Sequence, residues 1–176
     1  LILLLFLGMI VSSVVGLFES VVASIAIVVC FQSLILDMAG NVGTQSLAVT
    51  IRLLVDENIS TKDKFKFIFK EIQIGASNGL LLGVLSFVFI GFYIMLFKHR
   101  AFLDSFILSG CVGVSLFVAM VISSLVGVVI PMFFHKIKID PAVASGPLIT
   151  TINDLVAVVT YYGLAWILLL KIFHVS

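Results

Sequence analysis

The sequence predicts an all-α, polytopic membrane protein with five spanning helices, the second of them kinked. Three observations carry that reading. Apolar residues make up 62% of the 176-residue chain and charged residues 11%, with a mean hydropathy of +1.34, a balance foreign to soluble domains. The apolar residues gather into windows long enough to cross about 30 Å of hydrocarbon, which takes about 20 residues in a helix. Inside those windows stand a few carboxylates and amides, whose cost in lipid marks them as functional.

Residues 1–18 form a charge-free first window. No basic segment precedes its apolar run, so it reads as a span and not as a signal peptide. Residues 20–54 form the second, where Asp37 and the terminal Arg52 are the charges within the apolar run. This window exceeds one straight span, so a bend or break is expected around Gly40–Gly43. The third window, 67–97, is interrupted only by Lys70 and Glu71, and the fourth, 105–134, carries no charge. The fifth, 147–172, is charge-free as far as Leu170 except for Asp154. The polar stretch Asp56–Lys66 interleaves acids and bases and reads as a solvated turn at the membrane surface. No linker or low-complexity tract divides the chain, which is read as one domain over 1–176.

Small residues mark packing faces. Gly75, Gly79 and Gly83 recur every fourth residue, and Ser109/Gly113 and Ser123/Gly127 repeat that spacing in the fourth window, as close helix contacts require. Glu71, near the glycine face, is expected to be hydrated at the cytoplasmic boundary, as part of that packing surface or with a direct part in transport. Cys30 and Cys111 have no partner at metal-ligand spacing and read as small apolar fillers.

The basic residues set the orientation. Arg52, Lys62, Lys64, Lys66, Lys70, Lys136 and Lys138 follow the second and fourth windows, against Lys98, Arg100 and Lys171 on the other side. The positive-inside rule then places the N-terminus in the cytoplasm and the C-terminus outside. Trp166, Tyr161 and Tyr162 fall toward the outer end of the fifth window, where aromatic belts lie. The net charge of +1 gives no sign of a nucleic-acid partner.

Two polar stretches carry the chemistry. The first, Asp37–Ser46, packs a carboxylate, amides, hydroxyls and glycines into the second window, as helices lining an ion path do. Asp37 fits either a pore or vestibule, or capping at the expected kink. The second runs from Asp140 to Asp154, with Pro141 and Pro147 suited to an irregular lead-in and the first turn of a helix starting at Pro147. Thr150, Thr151 and Asp154 share a face of that helix, continued by Val158 and Tyr161. Asp154 lies about 10 Å past Pro147. With no base at comparable depth, it reads as part of a cation path or as a neutral, hydrogen-bonded carboxyl.

At these stretches the chain resembles the MgtE family of magnesium channels, which is related to the animal solute-carrier magnesium transporters. The resemblance rests on Gly40-Asn41-Val42-Gly43-Thr44-Gln45-Ser46 leading to Arg52, on Asp140-Pro141-Ala142 with Ser145-Gly146-Pro147, and on Thr150, Thr151 and Asp154. Leu17-Phe18-Glu19 and Glu71, Gly75, Asn78, Gly79, Gly83 support it. It implies a five-helix domain that forms a homodimer, with the second and fifth helices of both subunits lining one pore on the two-fold axis. Asp154 matches the carboxylate that binds hydrated Mg²⁺, with Asn41 and Thr44 beside it. Full-length bacterial members also carry N-terminal cytosolic Mg²⁺-sensing domains, which this chain lacks, and reside in the inner (plasma) membrane. Ala157 departs from the family pattern, where glycine is expected.

The candidate ion-binding residues are therefore Asp154, Asn41, Thr44, Asn153, Thr150, Thr151 and Asp37, with Mg²⁺ as the transported ion. Mg²⁺ keeps several waters and is typically held by one or two carboxylates among neutral oxygens, which a two-fold axis supplies. A proton- or sodium-coupled transporter of a divalent cation is the alternative, though no internal repeat relates two halves of the chain. An intramembrane aspartyl protease would need Asp37 and Asp154 to share a proton; neither stands in a Gly-Asp motif. No enzymatic activity is expected.

Overall fold

The computed structural model describes residues 2–24, 26–55 and 60–173, with the side chains of 3, 4, 24, 61 and 142–145 excluded. Asp56 and Glu57 of the expected surface turn, and the side chains of Ala142 and Ser145, lie outside the described residues. The described chain is helical throughout: α1 (Ile2–Gly16), α2 (Glu19–Ser24), α3 (Ile27–Leu54), α4 (Thr61–Phe97), α5 (Phe102–Lys136) and α6 (Pro141–Ala165), the last continuing as a π-helix over Trp166–Ile172.

Four stretches are long and apolar enough to cross a membrane: Ile27–Leu54, Lys62–Phe97, Phe102–Lys136 and Gly146–Ile172. Their outward faces are as greasy as the interior, with Leu80, Leu81 and Phe89 of α4 each more than half exposed. The expected first span is shorter than predicted. Helix α1 has 15 residues, about 22 Å at 1.5 Å each, and ends in a turn where Leu17 and Phe18 donate to the Val14 and Val15 carbonyls.

The break expected at Gly40–Gly43 is absent, because α3 runs unbroken from Ile27 to Leu54. No proline there removes a backbone donor, and the interruption falls instead between α2 and α3. Helix α4 begins earlier than the third window, at Thr61, capped by Ser60, whose hydroxyl accepts from the Asp63 N–H at 3.2 Å. Helix α6 likewise begins at Pro141 and not at Pro147. Pro141 takes the first helical position, where its missing N–H costs nothing.

Helix α5 occupies the centre, packed against α4, α3 and α6, while α1 lies on α6. Its core side chains Leu108, Val112, Leu116, Ala119 and Met120 meet Ile35 and Ala39 of α3, Ile94 of α4, and Ala157 and Val158 of α6 in one buried cluster. The α4–α5 seam follows the expected small-residue stripes: an added Cβ would meet Ser124 at Gly75, Phe117 at Gly79 and the Gly113 carbonyl at Gly83. Ala157 is fully buried, so its methyl is accommodated in the core.

Two further sequence expectations need correction. Tyr161 and Tyr162 are not belt aromatics; both are essentially unexposed. Their hydroxyls reach across to α3, Tyr161 donating to the Val28 carbonyl at 2.7 Å and Tyr162 to Gln32 Oε1, which satisfies phenols that would be costly if buried alone. Trp166 remains 42% exposed, with the Lys171 ammonium 3.9 Å from its ring centroid. Glu71, expected to be hydrated, is only 6% exposed, drawn inward by the Ser46 hydroxyl, which donates to its Oε2 at 2.9 Å.

Candidate functional site

Helical spacing assembles the site. On α3, Asp37, Gly40, Asn41 and Thr44 fall at i, i+3, i+4 and i+7, one stripe of a helix. On α6, Thr150 and Asp154 are four residues apart and likewise share a face. The two stripes, with Leu36, line one open cleft of about 300 Å³. Asp154 is half-buried, while Asp37, Asn41, Thr44 and Thr150 are exposed.

The hydroxyls are oriented by their own helices. Thr44 Oγ1 lies 2.9 Å from the Gly40 carbonyl and 3.0 Å from that of Asn41, and Thr150 Oγ1 donates to the Gly146 carbonyl at 3.1 Å. With their protons committed, both oxygens can offer only lone pairs to the cleft. The lining therefore presents two carboxylates, an amide and two acceptor hydroxyls, and no Lys, Arg or His is among its residues. Such a donor set favours a hard cation, or the water shell around one. No group of three or more His, Cys, Asp or Glu gathers among the described residues, so this is a sparse lining and not a dense metal cage.

Two candidates face elsewhere. Thr151 is 8% exposed and donates to the Pro147 carbonyl at 3.0 Å. Asn153 is fully buried, and neither atom of its amide has a hydrogen-bond partner. It presses against α3, where a Cβ on Gly43 would sit 1.9 Å from Asn153 Nδ2. Each is turned about 100° from a cleft residue next to it in sequence. Sequence reasoning also missed Gly40 and Leu36 as lining residues, and the contact of Glu71 with Ser46 and Ser124 behind α3. The polar Ser46 at the end of the first polar stretch was the available signal.

Residues 32–164 match the family model MgtE, described as a divalent cation transporter. The chain belongs to the MgtE family. It is similar to the magnesium transporter MgtE of Bacillus subtilis, 38% identical over 165 residues, and to that of Enterococcus faecalis, also 38% identical over 165 residues. The magnesium transporter MgtE of Thermus thermophilus is 32% identical over 171 residues. These matches cover 94 to 96% of this chain but 34 to 35% of each relative, so the chain spans about a third of their length. The MgtE-matched region runs from α3 into the end of α6 and contains every candidate ion-binding residue.

Proposed function

We propose that this chain is the ion-conducting membrane part of a magnesium transporter, carrying hydrated Mg²⁺ through a pore on the axis of a homodimer. The observation that carries the reading is the convergence of Asp37, Asn41 and Thr44 of α3 with Thr150 and Asp154 of α6 on one cleft without a basic residue. The relatives, each named a magnesium transporter, supply the ion.

Carboxylates and amides on spanning helices cannot face hydrocarbon without heavy cost. The open side of the cleft is therefore covered by a second copy, whose α3 and α6 complete the lining and double the carboxylates. Mg²⁺ sheds water reluctantly, so the ion passes with its shell, and the acceptor oxygens of Asp154, Asn41, Thr44 and Thr150 bind those waters. Asp37 belongs to the vestibule of the same path, while Asn153 and Thr151 support α6 from behind. Helix α1, completed by the turn and α2, makes a short fifth crossing. The N-terminus is cytoplasmic and the C-terminus outside, in a bacterial inner membrane. Sensing of internal Mg²⁺ is assigned to cytosolic domains outside this segment.

The test is Mg²⁺ flux into liposomes at zero proton and sodium gradients, comparing the parent with Asp154→Asn. Flux in the parent and its collapse in the variant are expected; undiminished flux through Asp154→Asn overturns the assignment. Flux that appears only with a proton or sodium gradient identifies a coupled transporter instead. Chemical cross-linking in the same liposomes is expected to trap a dimer, and a conducting monomer would refute the shared pore.

A further inference from the structure

Behind the cleft, on the opposite side of α3, lies a buried polar contact that joins three helices. Glu71 of α4 is 6% exposed, and Ser46 of α3 is 4% exposed. The Ser46 hydroxyl donates to Glu71 Oε2 at 2.9 Å. Ser124 of α5, fully buried, donates to the Glu71 backbone carbonyl at 2.7 Å, and its oxygen lies 3.3 Å from that of Ser46. Within α3, Thr50 donates to the Ser46 carbonyl at 2.6 Å.

We propose that Glu71 is a positioning residue for the ion path: through Ser46 it holds the rotation of α3 beyond the Gly43 contact and so aims Asn41 and Thr44 into the cleft. Ser46 follows Thr44 by two residues, about 200° around the helix, so the tie and the cleft lie on opposite faces. The first half of α3 is held by Ile35 and Ala39 in the core and by the Tyr161 and Tyr162 bonds, whereas farther along α3 meets α5 through glycine, where Gly43 and Gly127 approach closely and side-chain interlock is weak. A directional hydrogen bond to a buried carboxylate adds the constraint that this glycine contact does not, and leaving that carboxylate without its donor is costly. The role asks only for an acceptor at this place, so a glutamine, which keeps a carbonyl oxygen and removes the charge, should serve.

The inference rests on the cleft being the ion site, and the experiment separates the two ideas. On a Cys30→Ala background, Asn41→Cys reports how α3 faces the cleft through its rate of modification by a small thiol reagent. In the chain with Asn41 intact, calorimetric titration with MgCl₂ reads ion affinity. Glu71→Met is expected to change the modification rate and to weaken Mg²⁺ binding by about tenfold, the low end of what loss of an outer-shell partner costs a metal site. Ser46→Ala should act in the same direction, and combining it with Glu71→Met should add nothing, because both cut one bond. Glu71→Gln should restore both readouts to near the parent. An unchanged modification rate in folded Glu71→Met overturns the proposal. So does a Glu71→Gln variant as impaired in binding as Glu71→Met, which would make the charge itself the functional element. If Asp154→Asn binds Mg²⁺ like the parent, the cleft reading fails; if it loses binding while the Glu71 and Ser46 variants are silent, only the positioning role fails.

Discussion

Gly127→Ala is the sharpest test of how packing holds the cleft. A Cβ added at Gly127 would lie 2.3 Å from the Gly43 carbonyl oxygen, 3.2 Å from its carbonyl carbon and 3.0 Å from Ser46 Cβ. Ordinary contact begins at 3.4 Å, so α3 and α5 must separate by about 1.1 Å at this point. The obstructing atoms are the backbone of α3, and no side-chain rotation relieves them. Overpacking of this kind costs about 1–3 kcal/mol. The displaced segment also lies between Asn41 and Thr44, so both move by about 1 Å relative to Asp154, and a supporting shell loosened by that amount degrades a site. The expected result is a lower midpoint in detergent unfolding together with Mg²⁺ flux reduced by about tenfold in liposomes, the low end of what a disturbed outer shell costs. Gly110→Ala is the control, since its Cβ would meet Phe87 at 3.7 Å, and it should match the parent in both assays. A Gly127→Ala protein that unfolds and conducts like the parent would refute the reasoning.

Two further perturbations separate stability from conduction. Gly113→Ala places a Cβ 2.7 Å from the Gly83 carbonyl on the α4–α5 seam, away from the cleft; it should destabilise by about 1–3 kcal/mol in detergent unfolding yet keep the parent's ion preference among Mg²⁺, Mn²⁺ and Ca²⁺ in liposome flux. Tyr161→Phe removes the 2.7 Å bond to the Val28 carbonyl and should cost about 1 kcal/mol, read by the same unfolding midpoint, with flux near the parent's.

Much of the cleft was legible because helical spacing is local information. Asp37, Asn41 and Thr44, and separately Thr150 and Asp154, are related by three- and four-residue steps that any helix brings onto one face. The periodicity could not say which face of α6 meets α3. Three-residue spacing groups Thr151 with Asp154, yet in the folded chain Thr151 is buried, and so is Asn153, which presses against Gly43 of α3. The same limit explains Glu71, whose burial depends on hydroxyls 25 and 53 residues away in sequence, and Tyr161 and Tyr162, whose partners on α3 lie 133 and 130 residues away.

The sequence by itself determined the membrane character, the helical class and the chemistry of the residues that line the cleft. Hydrophobic runs of spanning length and rare carboxylates within them are properties of composition and order, which no packing can change. The family resemblance, carried by the two polar stretches, was likewise readable at that level. Tertiary structure alone decided where α3 begins, that it passes Gly40 and Gly43 unbroken, and which side of each helix is core. Those outcomes depend on contacts between residues far apart in the chain. At Gly43, Gly127 and Asn153, backbones and one buried amide approach so closely that the neighbours, and not the local sequence, fix the arrangement.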